Sequence, residues 1–503
     1  MPSSRMAESK NAELVLIPAA GVSHLVPFVE LANLLITQTN DLSITILIMA
    51  PPSDTKILSY KKSLEESSDP RIKFVDLKPE LTDDPSKTPP AGIHFFFQFV
   101  DNHKPHVRKI LSEKNDSSTS KLAGVVADMF CTTFFDVAAK LGVPHYVFFT
   151  CGASMFGLML HLQSLRDDHN VDVTEFKISD KSTKIRVPTY INPVPVRVIP
   201  SVFLEKGCSD LFLDQAKRYR KANGIIINTF KEMEIQAIEA LSNDSKIPPV
   251  YAIGPLLNLK GGKWNDNNQK KKQKEEEDEQ SIIKWLDLQP ESSVVFLCFG
   301  SGGAFDGEQV KEMAKGIERS GYRFLWSLRK PPSSDNFGYA DDYENLEDVL
   351  PEGFLQRNSG AGKIIGWAPQ AAILSHPAVG GFVSHCGWNS ILESVWFGMP
   401  VATWPLYAEQ QVNAFLLVKE LEMAVEIKMD YRKHTRETPE LSSEDVSAEL
   451  MERGIRLVME AVSEVRKKVK QMQVKSLSVY EEEGGSSYTS VKYFIDDVIS
   501  NAL

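Results

Sequence analysis

Cysteine is scarce in this sequence, and its few copies are far apart. Five occur in 503 residues, and their spacing matches no zinc or redox motif. An odd number of scattered cysteines argues against the disulfide framework of a secreted protein and indicates reduced thiols in a cytoplasmic one. The five are Cys131, Cys151, Cys208, Cys298 and Cys386.

Long apolar runs are lacking as well. No window approaches the roughly 20 apolar residues that cross a bilayer as a helix. The polar residues 1–11 lack the apolar stretch of a signal peptide. Basic residues are outnumbered by acidic ones, 56 against 67, and the net charge of −11 argues against nonspecific nucleic-acid binding. The composition therefore predicts a cytoplasmic protein that neither spans a membrane nor binds nucleic acid.

Metal-binding patterns are also missing. No group of histidine, cysteine or carboxylate residues has the spacing of metal ligands, and no Asp-x-Asp pair ends a strand-like run. The sequence thus predicts chemistry that needs no metal and no other cofactor.

The chain does contain a regular alternation of strand-like apolar runs and amphipathic helical stretches. This alternation is typical of α/β domains with parallel sheets, and the length suits two such domains. Open parallel sheets bind ligands beyond the carboxyl ends of their strands, so we expect a cleft between two α/β halves. The predicted strands are 13–18, 43–49, 124–127, 145–149 and 224–228 in the first half, and 293–299, 322–327, 363–366, 379–384 and 400–404 in the second.

The densest motif of the second half occupies residues 367–410. The strand predicted at 379–384 runs into His385, and helical spacing begins at Asn389. Backbone N–H groups and the positive end of the helix dipole favour an anion at such a turn. A diphosphate would fit there with His385, Asn389 and Ser390, and the helix dipole and His385 would offset its charge as it departs.

Other residues of the same motif suit a nucleoside and a sugar. Trp367 offers an aromatic plane just after a predicted strand. Glu393, one turn inside the helix, can accept hydrogen bonds from two ribose hydroxyls. Glu409 and Gln410 follow another strand and offer two acceptors for neighbouring sugar hydroxyls. The motif therefore describes a nucleotide-sugar pocket.

Two candidates for proton transfer follow strands of the first half. His24 lies in the loop after the first strand, where an imidazole can take a proton near neutral pH. Spacing alone favours a helix-capping or solvated histidine. Asp128 ends another strand and can either orient the imidazole or cap the next helix. Asp136, eight residues further on, is the weaker candidate because it lies inside a helix.

The 367–410 motif resembles, position by position and without a gap, the signature of plant family 1 UDP-sugar-dependent glycosyltransferases. So long a match is far more specific than a short glycine-rich pattern. The resemblance covers nearly the whole chain and looks most like the branch that glucosylates phenolics, flavonoids and terpenoid hydroxyls. It is carried also by residues 21–24 (GVSH), 228–230 (NTF), 254–256 (GPL), 285–287 (WLD) and 295–302 (VFLCFGSG).

The resemblance implies the α/β GT-B architecture, in which two Rossmann-like domains with parallel sheets face each other across a cleft. The expected limits are 1–258 for the acceptor-binding domain and 259–280 for a charged linker. They continue with 281–480 for the UDP-sugar-binding domain and 481–503 for a C-terminal helix that returns to the first domain. The charged linker agrees with a lysine block followed by an acidic block, without apolar anchors.

The implied activity is an inverting O-glucosyltransferase. Glucose would pass from UDP-glucose, a co-substrate, to a hydroxyl of a small lipophilic plant metabolite (a phenolic, flavonoid or terpenoid) and form a β-glucoside. The implied partners are the UDP-sugar and a small hydrophobic acceptor, and we expect a monomer. The final Gln410 resembles the residue of glucose users, whereas galactose users tend to carry histidine there.

The resemblance also assigns roles to individual positions. His24 matches the general base that deprotonates the acceptor hydroxyl, and Asp128 matches its partner. The remaining matches are to the donor: His385, Gly387, Asn389, Ser390 and Ser301 around the phosphates; Trp367 and Ala368 at the uracil; Gln370 and Glu393 at the ribose; and Trp388, Glu409, Gln410 and Thr150 at the sugar.

Two readings from other classes are weaker. A nicotinamide-dependent oxidoreductase needs a G-x-G-x-x-G turn after its first strand, and residues 19–24 (AAGVSH) do not supply one. A catalytically silent ligand-binding relative would be indicated by loss of His24 or Asp128, and both are present. A UDP-sugar other than UDP-glucose is the alternative within the same fold.

Overall fold

The computed structural model describes residues 12–51, 55–78, 92–117, 120–180, 182–259, 269–331, 340–433 and 445–501. Their strands form two large parallel sheets and one short antiparallel pair. The strands are β1 Ala12–Ile17, β2 Leu42–Ile48, β3 Ile72–Asp76, β4 Lys121–Asp128, β5 His145–Phe149, β6 Lys184–Ile185, β7 Val194–Pro195, β8 Gly224–Ile227, β9 Val250–Ala252, β10 Val294–Cys298, β11 Arg323–Ser327, β12 Gly362–Ile365, β13 Val379–Ser384, β14 Val401–Thr403 and β15 Ala424–Glu426.

Each large sheet reverses its strand order at one point. In these residues the first sheet has the order β3-β2-β1-β4-β5-β8-β9, and the second has β12-β11-β10-β13-β14-β15. Strand β1 pairs with β2 on one side and β4 on the other, and β10 pairs in the same way with β11 and β13. At such a switch point the loops leave in opposite directions and open a crevice. Each half therefore offers a crevice at its strand ends, one at β1/β4 and one at β10/β13.

Helices flank the sheets because the strands are apolar on both faces. Along β1, Val15 and Ile17 belong to the core on one face, while Leu14 and Leu16 belong to the core on the other. All four are fully buried, and each contributes roughly 1.5–3 kcal/mol by leaving water. Such double burial requires helices on both sides. The described residues form α1 Val22–Gln38, α2 Thr55–Ser67, α3 Ile93–Asp101, α4 Lys104–Asn115, α5 Phe135–Lys140, α6 Ala153–His169, α7 Ser201–Leu204, α8 Cys208–Tyr219, α9 Ile235–Ser242, α10 Gln269–Asp287, α11 Gly307–Ser320, α12 Phe354–Arg357, α13 Gln370–Leu374, α14 Trp388–Trp396, α15 Gln410–Phe415, α16 Ala448–Met459, α17 Glu464–Ser478 and α18 Ser486–Ser500, with 3₁₀ turns at Thr132–Phe134, Val173–Glu175, Val196–Val198 and Leu346–Asp348 and a π-helical turn at Leu416–Glu420.

Helix α18 packs on the first sheet although the second sheet precedes it in the chain. The ring of Phe494 contacts the rings of Tyr146 and Tyr251 edge-on, with centroids 5.2 and 5.4 Å away. The Tyr146 hydroxyl donates a hydrogen bond of 2.6 Å to the Asp497 carboxylate. Phe494 and its apolar neighbours on α18 join the same core as β1 and α1. The core of the first half is therefore completed from the far end of the sequence.

The ten strands predicted from the sequence are all present, with ends that differ by three residues at most. Strands β3, β9 and β15 were not predicted, and each lies at an edge of its sheet. Of the helices formed by the described residues, none combines the length and apolar character needed to cross a membrane. The predicted division into 1–258, 259–280, 281–480 and 481–503 stays a prediction.

The charged segment between the halves differs from its expected character. Residues 269–280 form the first part of α10, although the sequence indicated a solvated linker over 259–280. Further along α10, Ile282 and Leu286 are buried and anchor the helix to the core. Residues 260–268 of the predicted linker lie outside the described residues.

Candidate active site

The β1/β4 crevice brings His24 and Asp128 together. His24 lies in the first turn of α1, after Gly21, whose φ of 126° suits glycine alone. Asp128 is the last residue of β4 and is fully buried. His24 Nδ1 and Asp128 Oδ2 are 2.8 Å apart, and Asp128 Oδ1 accepts a hydrogen bond of 3.0 Å from the Phe130 backbone N–H. The carboxylate is thus fixed, and it holds the imidazole by Nδ1.

The surroundings of His24 make it a stronger base. Burial alone lowers the pKa of His24, but the charge and hydrogen bond of Asp128 and the charge of Glu409 outweigh burial, so the pKa is raised above its ordinary value. The His24 side chain remains 20% exposed. An imidazole that takes a proton readily therefore lies where a ligand can reach it.

Aromatic rings form an apolar wall beside His24. The Phe130 ring lies 5.3 Å from the imidazole, measured between centroids. The rings of Phe96, Phe97 and Phe212 surround Phe130 with centroid distances of 5.7, 6.2 and 5.9 Å, all edge-on. This wall gives the base a flank that suits a lipophilic molecule.

Two other candidates of the first half lie apart from this pair. Asp136 is exposed on α5 and pairs with Arg218 at 3.2 Å. Thr150 follows β5 and is buried, with its hydroxyl 3.9 Å from the sulfur of Met129. The structure therefore singles out Asp128, rather than Asp136, as the carboxylate beside His24.

In the β10/β13 crevice, two turns that contain glycine pack against the ring of His385. A Cβ atom at Gly300 or at Gly387 would lie 2.6 Å from His385 Nε2, so neither position accepts a side chain without displacing the ring. Gly387 is the N-cap residue of α14, and the preceding Cys386 has a φ of 63°, which is uncommon for a residue with a side chain. The left-handed conformation of Cys386 and the N-cap at Gly387 thus define the backbone of the turn that precedes α14.

His385 differs from the expectation that it would carry a positive charge. Burial lowers the pKa of His385 to about 4, although a hydrogen bond to the Cys298 backbone works against this. Its Nδ1 is buried and has no hydrogen-bond partner among the described residues. The imidazole is neutral near pH 7, and because its one N–H is held by the Cys298 backbone, Nδ1 can only accept a hydrogen bond. Any charge offset therefore falls to the helix dipole.

Polar residues of α13 and α14 form one network beside this turn. The Gln370 side-chain amide donates to Ser390 Oγ at 2.9 Å and to Glu393 Oε2 at 2.8 Å. Burial raises the pKa of Glu393 to about 7, and the hydrogen bond from Gln370 opposes that rise. Asn389, in the first turn of α14, is half-buried, and Ser301, after β10, is exposed. Three of the predicted donor residues are therefore joined directly.

The strand end beside this network carries an exposed aromatic ring. Trp367 follows β12 and is 47% exposed, which is unusual for so large an apolar side chain. Its neighbour Ala368 is buried, which leaves the backbone at the base of the crevice. The placement suits a stacking platform for a flat ring.

The loop after β14 holds Glu409 and Gln410. Ala408 has a φ of 56°, so this loop, like the turn at Cys386, contains a left-handed residue with a side chain. Glu409 accepts backbone hydrogen bonds from its own residue and from Trp388. Burial raises the pKa of Glu409, and these bonds and the charge of His24 oppose the rise. The interaction of Glu409 with His24 joins the two crevices across the cleft.

The expectation that Gln410 offers an acceptor is wrong. Gln410 Oε1 already accepts the backbone N–H groups of Leu406 and Tyr407, at 2.9 and 3.1 Å. A carbonyl oxygen has two lone pairs, so this one is fully used inside the loop. Only the amide nitrogen of Gln410 is left for other partners, and it lies within hydrogen-bond reach of the Tyr407 side chain.

Comparisons with known proteins agree with this geometry. The family model described as UDP-glucoronosyl and UDP-glucosyl transferase matches residues 265–447. A putative UDP-glucose flavonoid 3-O-glucosyltransferase 3 of Fragaria ananassa is 51% identical, covering 97% of this chain and 100% of the relative. The chain belongs to the plant family 1 UDP-glycosyltransferases.

Solved structures of related transferases have the same fold as this chain. A transferase of this family from Siraitia grosvenorii, in complex with UDP, has a TM-score of 0.84 and 43% identity, covering 97% of this chain and 100% of that one. UGT71G1 of Medicago truncatula, complexed with UDP-glucose, has a TM-score of 0.81 and 39% identity, covering 98% and 99%. The predicted family, the GT-B fold and the class of enzyme, a UDP-glycosyltransferase, are confirmed.

In this UDP-glycosyltransferase the indole of Trp388 points into the first half. It is 3% exposed, and Nε1 donates a hydrogen bond of 2.7 Å to the backbone oxygen of Asn228, after β8. The resemblance implied a sugar contact for this residue. The structure instead buries the ring between the halves, so that its backbone, not its ring, faces Glu409.

The sequence analysis did not identify two buried residues that form side-chain hydrogen bonds to distant segments of the chain. The buried carboxylate of Glu234 accepts the backbone N–H groups of Ala153 and Ser154, at 2.9 and 2.8 Å, at the start of α6. Arg432, after β15, is buried and donates to Ser201 Oγ at 2.7 Å and to a backbone oxygen of Ile199 at 2.6 Å. Neither residue stands in a recognisable motif, because each acts on a segment far away in sequence.

The described residues contain no group of three or more histidine, cysteine, aspartate or glutamate side chains placed to hold a metal ion. None of the five cysteines forms a disulfide.

Proposed function

We propose that this UDP-glycosyltransferase is an inverting O-glucosyltransferase, which moves glucose from UDP-glucose to a hydroxyl of a small lipophilic plant metabolite. The observation that carries the proposal is the His24–Asp128 pair, which faces Glu409 and the α14 turn across one cleft. The aromatic wall around Phe130 supports a phenolic, flavonoid or terpenoid acceptor. The flavonoid glucosyltransferase of Fragaria ananassa and the UDP-glucose complex of the Medicago truncatula enzyme support the donor and the acceptor class.

In the proposed reaction, His24 is the general base. The acceptor hydroxyl gives its proton to Nε2 of His24 while its oxygen forms a bond to the anomeric carbon of glucose. The bond from that carbon to the UDP oxygen breaks, and UDP leaves with the electron pair. The buried Asp128 carboxylate stabilises the imidazolium that results. Because there is one displacement from the face opposite UDP, an α-linked donor gives a β-glucoside.

The donor would lie along the β10/β13 crevice. The diphosphate would meet the N-terminus of α14, where Gly387, Asn389 and Ser390 add backbone and side-chain hydrogen bonds and the helix dipole favours the anion. His385 would lie beside the diphosphate in its neutral form, with its N–H held by the Cys298 backbone, and Ser301 would approach from the β10 turn. These groups bind the leaving diphosphate without needing to change charge.

The nucleoside and sugar would lie on either side of the diphosphate. The uracil would stack on Trp367 and pair with the Ala368 backbone, while Glu393, held by Gln370, would accept the ribose hydroxyls. Glu409 would accept sugar hydroxyls, Gln410 would donate from its amide nitrogen, and Thr150 would approach from the first half. The Trp388 backbone would lie beside the same sugar.

We further propose that the enzyme needs neither a metal ion nor a cofactor. The groups around the α14 turn are hydrogen-bond donors, which suit a phosphate directly, whereas a magnesium ion would need oxygen ligands. We also propose a cytoplasmic monomer, and the absence of disulfides among the five cysteines supports the reducing compartment. Activity should survive EDTA, and a loss that magnesium restores would contradict metal independence.

The test is a screen of phenols, flavonoids and terpenoid alcohols with UDP-glucose, followed by mass spectrometry and by NMR of the product's anomeric centre. We expect at least one acceptor to gain one hexose in the β configuration. An α-glucoside, or no product from any acceptor class, would contradict the proposal. Parallel reactions with UDP-galactose and other UDP-sugars test the alternative donor.

A further inference from the structure

The indole of Trp388 extends from the donor crevice into the first half. Trp388 is the first residue of α14, whose N-terminus forms the proposed diphosphate site. Its Nε1–H donates to the backbone oxygen of Asn228 at 2.7 Å, and that residue follows β8 of the first sheet. One residue is therefore part of the donor turn through its backbone and part of the acceptor half through its ring.

The first half has a space shaped for this ring. Gly152, just before α6, lies so close to it that an added Cβ would be 2.5 Å from Cη2 and 2.9 Å from Cζ2 and Cζ3 of Trp388. Contacts under 3.0 Å do not occur between real side chains, so the indole and a side chain at Gly152 exclude each other. The ring is 3% exposed and enclosed, so it has no room to move aside.

The position of Trp388 also determines where Glu409 lies. The Glu409 carboxylate accepts a hydrogen bond from the Trp388 backbone and interacts with the charge of His24. A shift of Trp388 against Gly152 and Asn228 would therefore move the donor groups relative to the base. Displacements of about 1 Å can lower turnover by roughly 100-fold when reacting groups must align.

We propose that the Trp388 indole is a positioning residue, which sets the distance and register between the donor crevice and the His24–Asp128 pair. This inference rests on the proposed function. It assigns the ring to alignment of the two halves and leaves sugar recognition to the backbone of Trp388 and to Glu409. The lack of a side chain at Gly152 leaves the space that the indole fills.

The experiment combines two substitutions with a control. Trp388→Phe keeps an aromatic ring but removes the Nε1–H donor, and Gly152→Ala keeps Trp388 but places a methyl group against it. Gly360→Ala is the matched control, because a Cβ there has no atom within 4 Å. For each variant, kcat and KM are measured with UDP-glucose and one acceptor, UDP affinity by calorimetry, and the folded fraction by thermal unfolding.

We expect Trp388→Phe and Gly152→Ala each to lower kcat by about 10- to 100-fold, with UDP affinity within about threefold of the unmodified protein. Gly360→Ala should match the unmodified protein. In the double variant, the alanine methyl occupies space that the larger ring has vacated. Adding Gly152→Ala to Trp388→Phe should therefore change kcat by less than about twofold, a strongly non-additive result.

Several outcomes would overturn the inference. In one, Trp388→Phe keeps kcat within twofold. In another, UDP affinity falls in parallel with activity, which would make the indole a donor-binding group. Additive effects in the double variant would show that the ring and Gly152 act separately. If Trp388→Phe does not fold, Gly152→Ala alone decides through its ratio of kcat to KM effects. Failure of the proposed function is distinct, because the unmodified protein would then form no glucoside.

Discussion

His24 and His385 occupy comparable places in the two halves of the enzyme. Each lies beyond the carboxyl end of a strand at the switch point of its sheet, β1 for His24 and β13 for His385. Yet the pKa of His24 is raised, whereas burial lowers the pKa of His385 to about 4. The decisive difference is the buried Asp128 carboxylate, 2.8 Å from His24, for which His385 has no counterpart in the described residues.

The comparison shows that the neighbours, rather than the place in the fold, set the role of a histidine. An imidazole beside a carboxylate gains stability when it becomes protonated, which suits a base. An imidazole that is buried without a charged partner remains neutral, so it adds no positive charge that would hold back an anion which must later leave. One sheet edge therefore supports proton transfer in the first half and anion binding in the second.

The largest expected effect comes from exchanging the two histidines for alanine. His24→Ala should lower kcat by about two to four orders of magnitude while UDP affinity changes by less than about twofold. His385→Ala should mainly weaken UDP binding, because it removes the ring that packs against Gly300 and Gly387 beside the proposed diphosphate site, and not a proton acceptor. Steady-state kinetics and calorimetry on both variants check this. Near-normal turnover of His24→Ala with a weakly acidic alcohol would show that His24 is not the general base.

The second prediction removes the carboxylate that distinguishes the two sites. Asp128→Asn should lower kcat by about 100-fold. Without the charge that raises the pKa of His24, burial should prevail, so the pKa falls and the rising limb of the kcat–pH profile moves to lower pH. Glu409 remains and limits the shift. Asp136→Asn is the control, expected within twofold, and a larger loss there than at Asp128 would contradict the assignment.

The third prediction concerns the sugar end of the donor crevice. The unmodified enzyme should prefer UDP-glucose over UDP-galactose by roughly 10- to 100-fold in kcat/KM, and Gln410→His should narrow that gap mainly by weakening glucose transfer. Histidine cannot accept the two backbone N–H groups that Gln410 holds at Leu406 and Tyr407.

Competition between both donors at equal concentration measures this preference. Gln410→Glu is the comparison variant, because it keeps an oxygen for the two loop hydrogen bonds, while it replaces the amide donor by a second, negatively charged oxygen. If both variants lose the preference for UDP-glucose over UDP-galactose, that preference depends on the amide nitrogen of Gln410. Equal use of the two donors by the unmodified enzyme would show that Gln410 does not distinguish the sugars.

The smallest expected effect is a pH dependence of UDP binding. The pKa of Glu393 is about 7, and its ionised form is the better acceptor for ribose hydroxyls. At pH 6 about one tenth of the carboxyl is ionised, so UDP should bind roughly five- to tenfold more weakly than at pH 8. Glu393→Gln removes this contribution and keeps that of the phosphates. Calorimetry at both pH values should therefore give a smaller difference for the variant, and equal differences would contradict the prediction.

The central strands could be predicted from the sequence because they are apolar on both faces. Of the edge strands, β12 could be predicted from its short apolar run, whereas β3, β9 and β15 could not, because they lack that pattern. Strand β3 is only partly buried, and β15 has three residues, of which only Ala424 is buried. The composition of the charged start of α10 predicts a linker because it lacks apolar anchors, whereas the structure has a helix there that continues into the buried residues that follow.

The candidate site likewise has features that could be predicted from the sequence and features that could not. The proximity of His24 and Asp128, 104 positions apart, could be predicted because the carboxyl ends of parallel strands share one edge. The direction of the Trp388 ring and the use of the Gln410 carbonyl could not be predicted. Both depend on partners fixed only by the final packing, a backbone oxygen 160 positions away and two N–H groups of a tight loop.

The docking of α18 on the first sheet has a consequence for the order of folding during synthesis. Residues of β1 and α1 leave the ribosome before the second half, but the apolar side chains Val491, Phe494 and Val498 that complete their core emerge after it. Until then that surface stays uncovered while the second half is being made. The core of the first half is therefore completed only after the second half has been translated, and a fragment that ends before α18 would expose an apolar face prone to aggregation.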